Sequence, residues 1–258
     1  MMIKTVHPVA QSGFGLAAEL YQQARPSYPH EITQWLIEQL HLGQHDKLLD
    51  LGSGTGKFLA NLSLISQEIT AVEPVAEMLE QLQITYPHVH SLQASSQELP
   101  FDNNNFDAIF CAQSFHWFAD SASLQEMYRV LKPGAKLGLI WNQRDESIDW
   151  VKALANCIKP YEADTPRYHH QDWQKVFENQ KMFKLLDVVT FQNFQSGPVE
   201  EVVCKRLLST SFIAAMPQKQ QQSLQQQFEQ IVATYTGKLV KDLIDFPYKT
   251  YAYFYEKI

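Results

Sequence analysis

Three glycines at every second position, set directly behind an apolar run, constrain this chain more than any other feature. Leu48, Leu49 and Leu51 read as a short strand buried on both faces, and the run passes into Gly52-Ser53-Gly54-Thr55-Gly56. Residues without a Cβ tolerate positive φ and let a ligand approach the backbone. Beyond Lys57 the apolar positions Phe58, Leu59, Leu62 and Ile65 fall at helical spacing, so the amides that open that helix face whatever the turn holds. Strand, glycine turn and helix in this order predict a nucleotide cradle in an α/β sheet.

The spacing excludes two common cradles. A Walker loop needs Gly-Lys-Ser/Thr, and Phe58 stands where the hydroxyl belongs. A dinucleotide fingerprint needs a third glycine where the chain has Lys57. The segment Asp50-Leu51-Gly52-Ser53-Gly54-Thr55-Gly56 instead resembles, almost letter for letter, the first motif of class I S-adenosylmethionine-dependent methyltransferases. That resemblance implies a Rossmann-like α/β fold: a doubly wound, seven-stranded, mostly parallel sheet with one antiparallel strand. It also implies S-adenosyl-L-methionine as cofactor, with Asp50, Gly52, Ser53, Gly54, Thr55 and Gly56 around it.

Further stretches agree. Residues 69–74 read as a second strand ending in Glu73 and Pro74, and Glu73 lies about where a carboxylate accepts from two ribose hydroxyls. Met78, Leu79 and Leu82 follow at helical spacing as core, and Met78 is also a candidate adenine contact. Before Leu99-Pro100-Phe101 the family usually carries an acid that meets the adenine amino group. Ser95 stands there instead, its hydroxyl able to accept from that group while the Ser96 amide donates to the ring.

Residues 106–111 give a fourth strand, whose carboxyl end directs Gln113, Ser114, Phe115, His116 and Trp117 toward the methyl group. Gln113-Ser114-Phe115-His116-Trp117-Phe118 resembles the trans-aconitate methyltransferase group more than class I enzymes at large. So does Tyr21 with Arg25-Pro26-Ser27-Tyr28-Pro29, a segment that in such enzymes folds over the cofactor. By that likeness Tyr21 and Arg25 face the methionine part, Arg25 pairing with its carboxylate; a solvated helix-end charge is the alternative. The Asn/Asp-Pro-Pro-aromatic motif of enzymes that methylate amino groups of nucleobases or glutamine is missing.

For the chemistry, His116 is the candidate general base, since an imidazole titrates near physiological pH, or else a hydrogen-bonded support of the pocket wall. Trp117 and Trp141 are read as stacking on the acceptor, with core packing as the alternative. Arg206 is read as an ion-pair partner of the substrate, ahead of Arg144 and Arg167, with surface exposure as the alternative. The adjacent His169 and His170 lack a helical i, i+4 partner, so no metal site is expected.

Composition narrows the partners. A net charge of -7 with no basic run speaks against nucleic acid. Cys111, Cys157 and Cys204 are isolated, suggesting neither disulfides nor a thiolate metal site. No stretch reaches the ~18 apolar residues of a membrane span, and residues 1–11 lack an extended apolar run, so a cytoplasmic protein is expected.

Elsewhere Ile32, Trp35, Leu36 and Leu40 predict a helix closed by Gly43, residues 136–141 a fifth strand, and residues 185–194 and 247–255 two closing strands. The 258 residues are read as one domain, with helical lid insertions at about 143–184 and 197–246 that are too long for bare loops. Leu224, Phe228 and Ile231 stripe a glutamine-rich helix in the second. The expected activity is methyl transfer to a small molecule, at a carboxylate or hydroxyl oxygen. The rivals are a NAD-dependent oxidoreductase and a protein that binds S-adenosylmethionine without turnover. Oligomeric state is not encoded in any motif.

Overall fold

The computed structural model describes residues 24–162 and 165–258, so Tyr21 lies outside the described residues. Helix α1 (His30–Leu40) precedes strand β1 (Leu48–Leu51). There follow α2 (Leu59–Leu62), β2 (Ile69–Val72), α3 (Ala76–Thr85), β3 (His90–Leu92), β4 (Phe106–Ala112), α4 (Ser121–Val130) and β5 (Leu131–Arg144). After an inserted helix, α5 (Asp149–Ile158), come β6 (Phe183–Pro198) and, beyond a second insertion, β7 (Leu243–Lys257).

The seven strands run β3-β2-β1-β4-β5-β7-β6. Every pair from β3 to β5 is parallel, whereas β7 is antiparallel to both β5 and β6. The single antiparallel strand implied by the resemblance is therefore β7. The strand order reverses between β1 and β4, which leaves a crevice at their carboxyl ends. The glycine turn and residues 113–118 open into it.

All four residues of β1 are buried, and successive side chains point to opposite faces. Leu48 packs with Ile32, Leu36, Phe58 and Leu82 beneath α1, α2 and α3. Leu49 and Leu51 pack with Leu124, Met127 and Trp141 beneath α4 on the other face. A continuous apolar run is what a strand with helices on both faces requires.

Boundaries differ from expectation where local chemistry decides. α1 ends at Leu40, with His41 rather than Gly43 in the left-handed conformation at φ 56°. The outer strands run past the expected bounds because β6 and β7 pair from Phe183↔Lys257 to Pro198↔Leu243, and the largely exposed β6 carries little burial signal.

Both insertions are helical, and they share one core. The first supplies α5. The second supplies a π-helical turn (Glu200–Lys205), α6 (Arg206–Leu208), α7 (Ser211–Ala214) and α8 (Gln218–Thr236). Trp150, Val151, Leu154 and Ile158 from α5 meet Val203, Leu207, Leu224, Phe228 and Val232 in a third apolar cluster. The buried stripe of α8 is Leu224, Phe228 and Val232; Ile231, expected in it, sits half-buried at the margin. Most of the glutamines face outward, and Gly237 caps the helix at φ 70°.

Candidate active site

The glycine turn takes the conformation its residues permit. Gly52, Gly54 and Gly56 have φ of 69°, 58° and 85°. A Cβ on Gly52 would stand 2.6 Å from Ser114 Cβ, so only glycine lets the end of β4 close over the end of β1. The Ser114 hydroxyl completes that closure by donating to the Leu51 carbonyl at 2.8 Å.

Glu73, at the end of β2, is tied into the same turn. Its Oε2 accepts from the Gly54 amide at 2.8 Å and its Oε1 from the Val75 amide at 2.9 Å. Burial nevertheless pushes its pKa up to about 7, against the lowering effect of those amides. Asp50 is buried on β1, neither carboxyl oxygen has a hydrogen-bond partner, and its pKa rises to about 8 through burial and then the charge of Glu73. Two destabilised carboxylates suit a ligand that brings positive charge.

A cavity runs from this acidic end across the sheet's switch point to a basic one. Gly52, Ser53, Gly54, Glu73, Pro74, Met78, Ser95 and Ser96 line the first half. Gln113, Ser114, Trp117, Asn142, Arg25 and Arg206 line the second. Gln113, at φ 59°, turns its amide nitrogen onto the Asn142 carbonyl at 2.7 Å. Met78 lies beside the turn, its Sδ 3.8 Å from where a Gly54 Cβ would be. Ser95 Oγ accepts from the Gln97 amide at 3.3 Å, and Ser96 Oγ pairs with Ser123 Oγ at 2.8 Å.

Arg206 defines the basic end. It is 6% exposed, and its Nε and Nη1 have no hydrogen-bond partner. Its guanidinium stands 6.0 Å from the centre of the Tyr248 ring. Arg25 Nη2 donates to the Ser209 carbonyl at 3.0 Å. Burial, and then the charges of Arg206 and Arg167, push Arg144 down to about 10, so these guanidinium groups share one neighbourhood.

Four expectations need correction. Trp141 has no exposed surface: its ring packs 4.5 Å from that of Trp173 and 5.0 Å from that of Tyr168, in the core rather than on an acceptor. Gly56 and Thr55 do not line the cavity; a Cβ on Gly56 would meet Leu59 and Tyr86 at 3.0 Å, so that glycine serves packing. Asp50 lies behind the turn and does not line the cavity either. His116 is half-buried and accepts at Nδ1 from Trp141 Nε1 at 3.0 Å. Burial, and then the charges of Arg167 and Arg25, push its pKa to about 3, which disqualifies it as a base near neutrality.

His169 and His170 are joined by Glu162, a few residues earlier in the same insertion, the ligand atoms of all three lying within 4.8 Å of one another; spacing alone missed that grouping. Glu162 Oε1 already accepts from Arg167 Nε at 2.8 Å. Sequence reasoning also missed Lys57, Asn142 and Asp120 as cavity residues. Asn142 follows the expected fifth strand and could have been found as its carboxyl end; Asp120 carried no signal beyond its N-cap position on α4.

A sheet of this order, a glycine turn after β1 and an acid closing β2 define the nucleotide-binding α/β class to which many methyltransferases belong. The comparisons agree. The family described as a methyltransferase domain matches residues 49–139. An uncharacterized methyltransferase-like protein of Schizosaccharomyces pombe is 33% identical over 238 residues, covering 92% of each chain. A malonyl-[acyl-carrier protein] O-methyltransferase of Erwinia billingiae is 31% identical over 130 residues, 50% of this chain and 51% of that one. A solved structure from Anaeromyxobacter dehalogenans, ascribed to a type II methyltransferase, superposes with TM-score 0.67 at 18% identity, covering 90% of this chain and 97% of that one.

The chain belongs to the class I S-adenosylmethionine-dependent methyltransferases, of small-molecule type. It is an enzyme, and S-adenosyl-L-methionine is its cofactor. The site fits that group: the buried Glu73 carboxylate on the cavity wall favours a cationic ligand, and the glycine turn leaves room for it. No described helix is long and apolar enough to cross a membrane.

Proposed function

We propose that this enzyme methylates an oxygen of a small organic acid, a carboxylate in the first place and a hydroxyl in the second. The observation that carries the reading is Arg206, a buried cation in the cofactor cavity with two nitrogens left without a protein partner. Leaving a charge buried and unpaired costs several kcal/mol, so such a group is kept where a ligand supplies the opposite charge. The name of the Erwinia billingiae relative also puts methyl on oxygen, for that protein. The resemblance to the trans-aconitate group points the same way.

Bound S-adenosylmethionine supplies an electrophilic methyl group on a cationic sulfur. The chain's part is to hold and align. Glu73 takes the ribose, Gly52, Ser53 and Gly54 shape the turn, and Pro74, Met78, Ser95 and Ser96 close on the adenine. Gln113 and Ser114 bound the middle of the cavity. Arg206, with Arg25 at the same end, fixes the acid, and Trp117 walls the gap so that water is excluded from the displacement. The two insertions act as a lid within one domain of 258 residues. Three unpaired cysteines fit a cytoplasmic setting.

Labelled methyl transfer from S-adenosylmethionine to a panel of small carboxylic acids and phenols tests this. A base-labile methyl ester is expected. With the acid so found, Arg206→Gln should raise KM by about tenfold or more with a smaller change in kcat, and Arg206→Lys should recover part of the loss. Transfer to amines alone, or an unchanged KM, would sink the reading; transfer to phenols alone would move the acceptor from carboxylate to hydroxyl.

A further inference from the structure

A second cavity, beside the cofactor cavity, holds a histidine whose tautomer is fixed by its neighbour. An indole N–H can only donate, so the Trp141–His116 bond requires His116 Nδ1 to be unprotonated. The proton of the neutral ring then sits on Nε2. Trp141 cannot turn away, because Trp173, Tyr168 and Tyr253 pack around it.

His116 lines a second cavity with Arg167, His170 and Trp173, and this cavity shares Trp117, Phe118 and Asp120 with the cofactor cavity. Arg25, Arg167, His169 and His170 are the positive and titratable groups facing the ring, and they oppose a further positive charge on it. The acids nearby are engaged. Asp120 accepts from the Ser123 amide and from Gln97, and Asp172 pairs with Lys175.

We propose that His116 is a positioning residue and not a base: its Nε2–H donates to an oxygen of the acceptor, which must therefore arrive already ionised. This rests on the methyl-transfer reading and narrows it from carboxylate or hydroxyl to carboxylate. The oxygen lone pair attacks the methyl carbon, the carbon–sulfur bond breaks, and its electron pair leaves with the sulfur, which becomes a neutral thioether. No proton moves.

Nitrogen-15 histidine spectra of the full chain saturated with S-adenosylhomocysteine test it, with malonate and catechol as probes. His116 should show a neutral ring protonated at Nε2 from pH 5 to 8, and malonate but not catechol should shift the Nε2–H signal. A proton on Nδ1, a titration midpoint near 6.5, or a signal that malonate leaves in place overturns the proposal. With a methylated acid in hand, His116→Gln, whose amide nitrogen replaces Nε2, should keep KM within about threefold, while His116→Phe raises it about tenfold or more. Equal losses in both overturn it as well. Absence of S-adenosylhomocysteine binding by calorimetry would instead count against the methyl-transfer reading, while the tautomer is still read in the free protein.

Discussion

Asp50 and Glu73 are held as acids that ionise reluctantly, with pKa values raised from the usual 3.8 and 4.5 to about 8 and about 7. The folded chain therefore binds their protons more tightly than the unfolded chain does. Their contribution to stability is complete below about pH 4 and is lost as pH rises through 7 to 8. Ligand-free protein should melt at a higher temperature at pH 5.5 than at pH 8.5. The cationic cofactor favours the ionised forms, so its binding should tighten over the same interval and release protons, which calorimetry in buffers of different ionisation enthalpy would register. Glu73→Ala should weaken cofactor binding by about 1–3 kcal/mol, the range for losing a charged hydrogen-bond partner.

At this scale the sequence disclosed what backbone chemistry dictates. Three alternating glycines and an acid one strand later announced themselves because few other residues tolerate positive φ or end a buried strand. The burial of Trp141, by contrast, depends on Tyr168, Trp173 and Tyr253 arriving from distant segments, and no local pattern records that. The same holds for His116: its suitability as a base was a matter of neighbours rather than of residue type.

Among the elements, β1, β2, β4 and the helices around them were legible because their apolar periods match two-faced burial. β6 was foreshortened because more than half of its residues face solvent. The insertions were legible only as helical; their packing partners were not. Phe228 illustrates why, since it lies in a glutamine-rich stretch yet is fully buried in a cluster shared with α5 of the other insertion. Phe228→Ala should cost about 3–5 kcal/mol in that cluster. Limited proteolysis would show it as faster cleavage within α8, with the sheet region more resistant.

Across the whole molecule, a net charge of -7 coexists with a group of arginines at one end of the cavity. The overall field repels anions, while on the proposed reading the buried end captures those small enough to enter. Sulfate should accordingly compete with the acceptor but not with S-adenosylmethionine, and Arg206→Gln should abolish that competition. Steady-state inhibition patterns at constant ionic strength check it.

The third core has a consequence for descent. Segments far apart in the chain bury each other there, α5 against α8 and the π-helical turn. A recombinant that inherits one insertion from a relative and keeps the other leaves mismatched apolar faces between them. One that inherits both keeps that cluster closed. With the insertions acting as the proposed lid, acceptor preference in this lineage should thus pass between enzymes as a pair of co-inherited segments, with the sheet left unchanged.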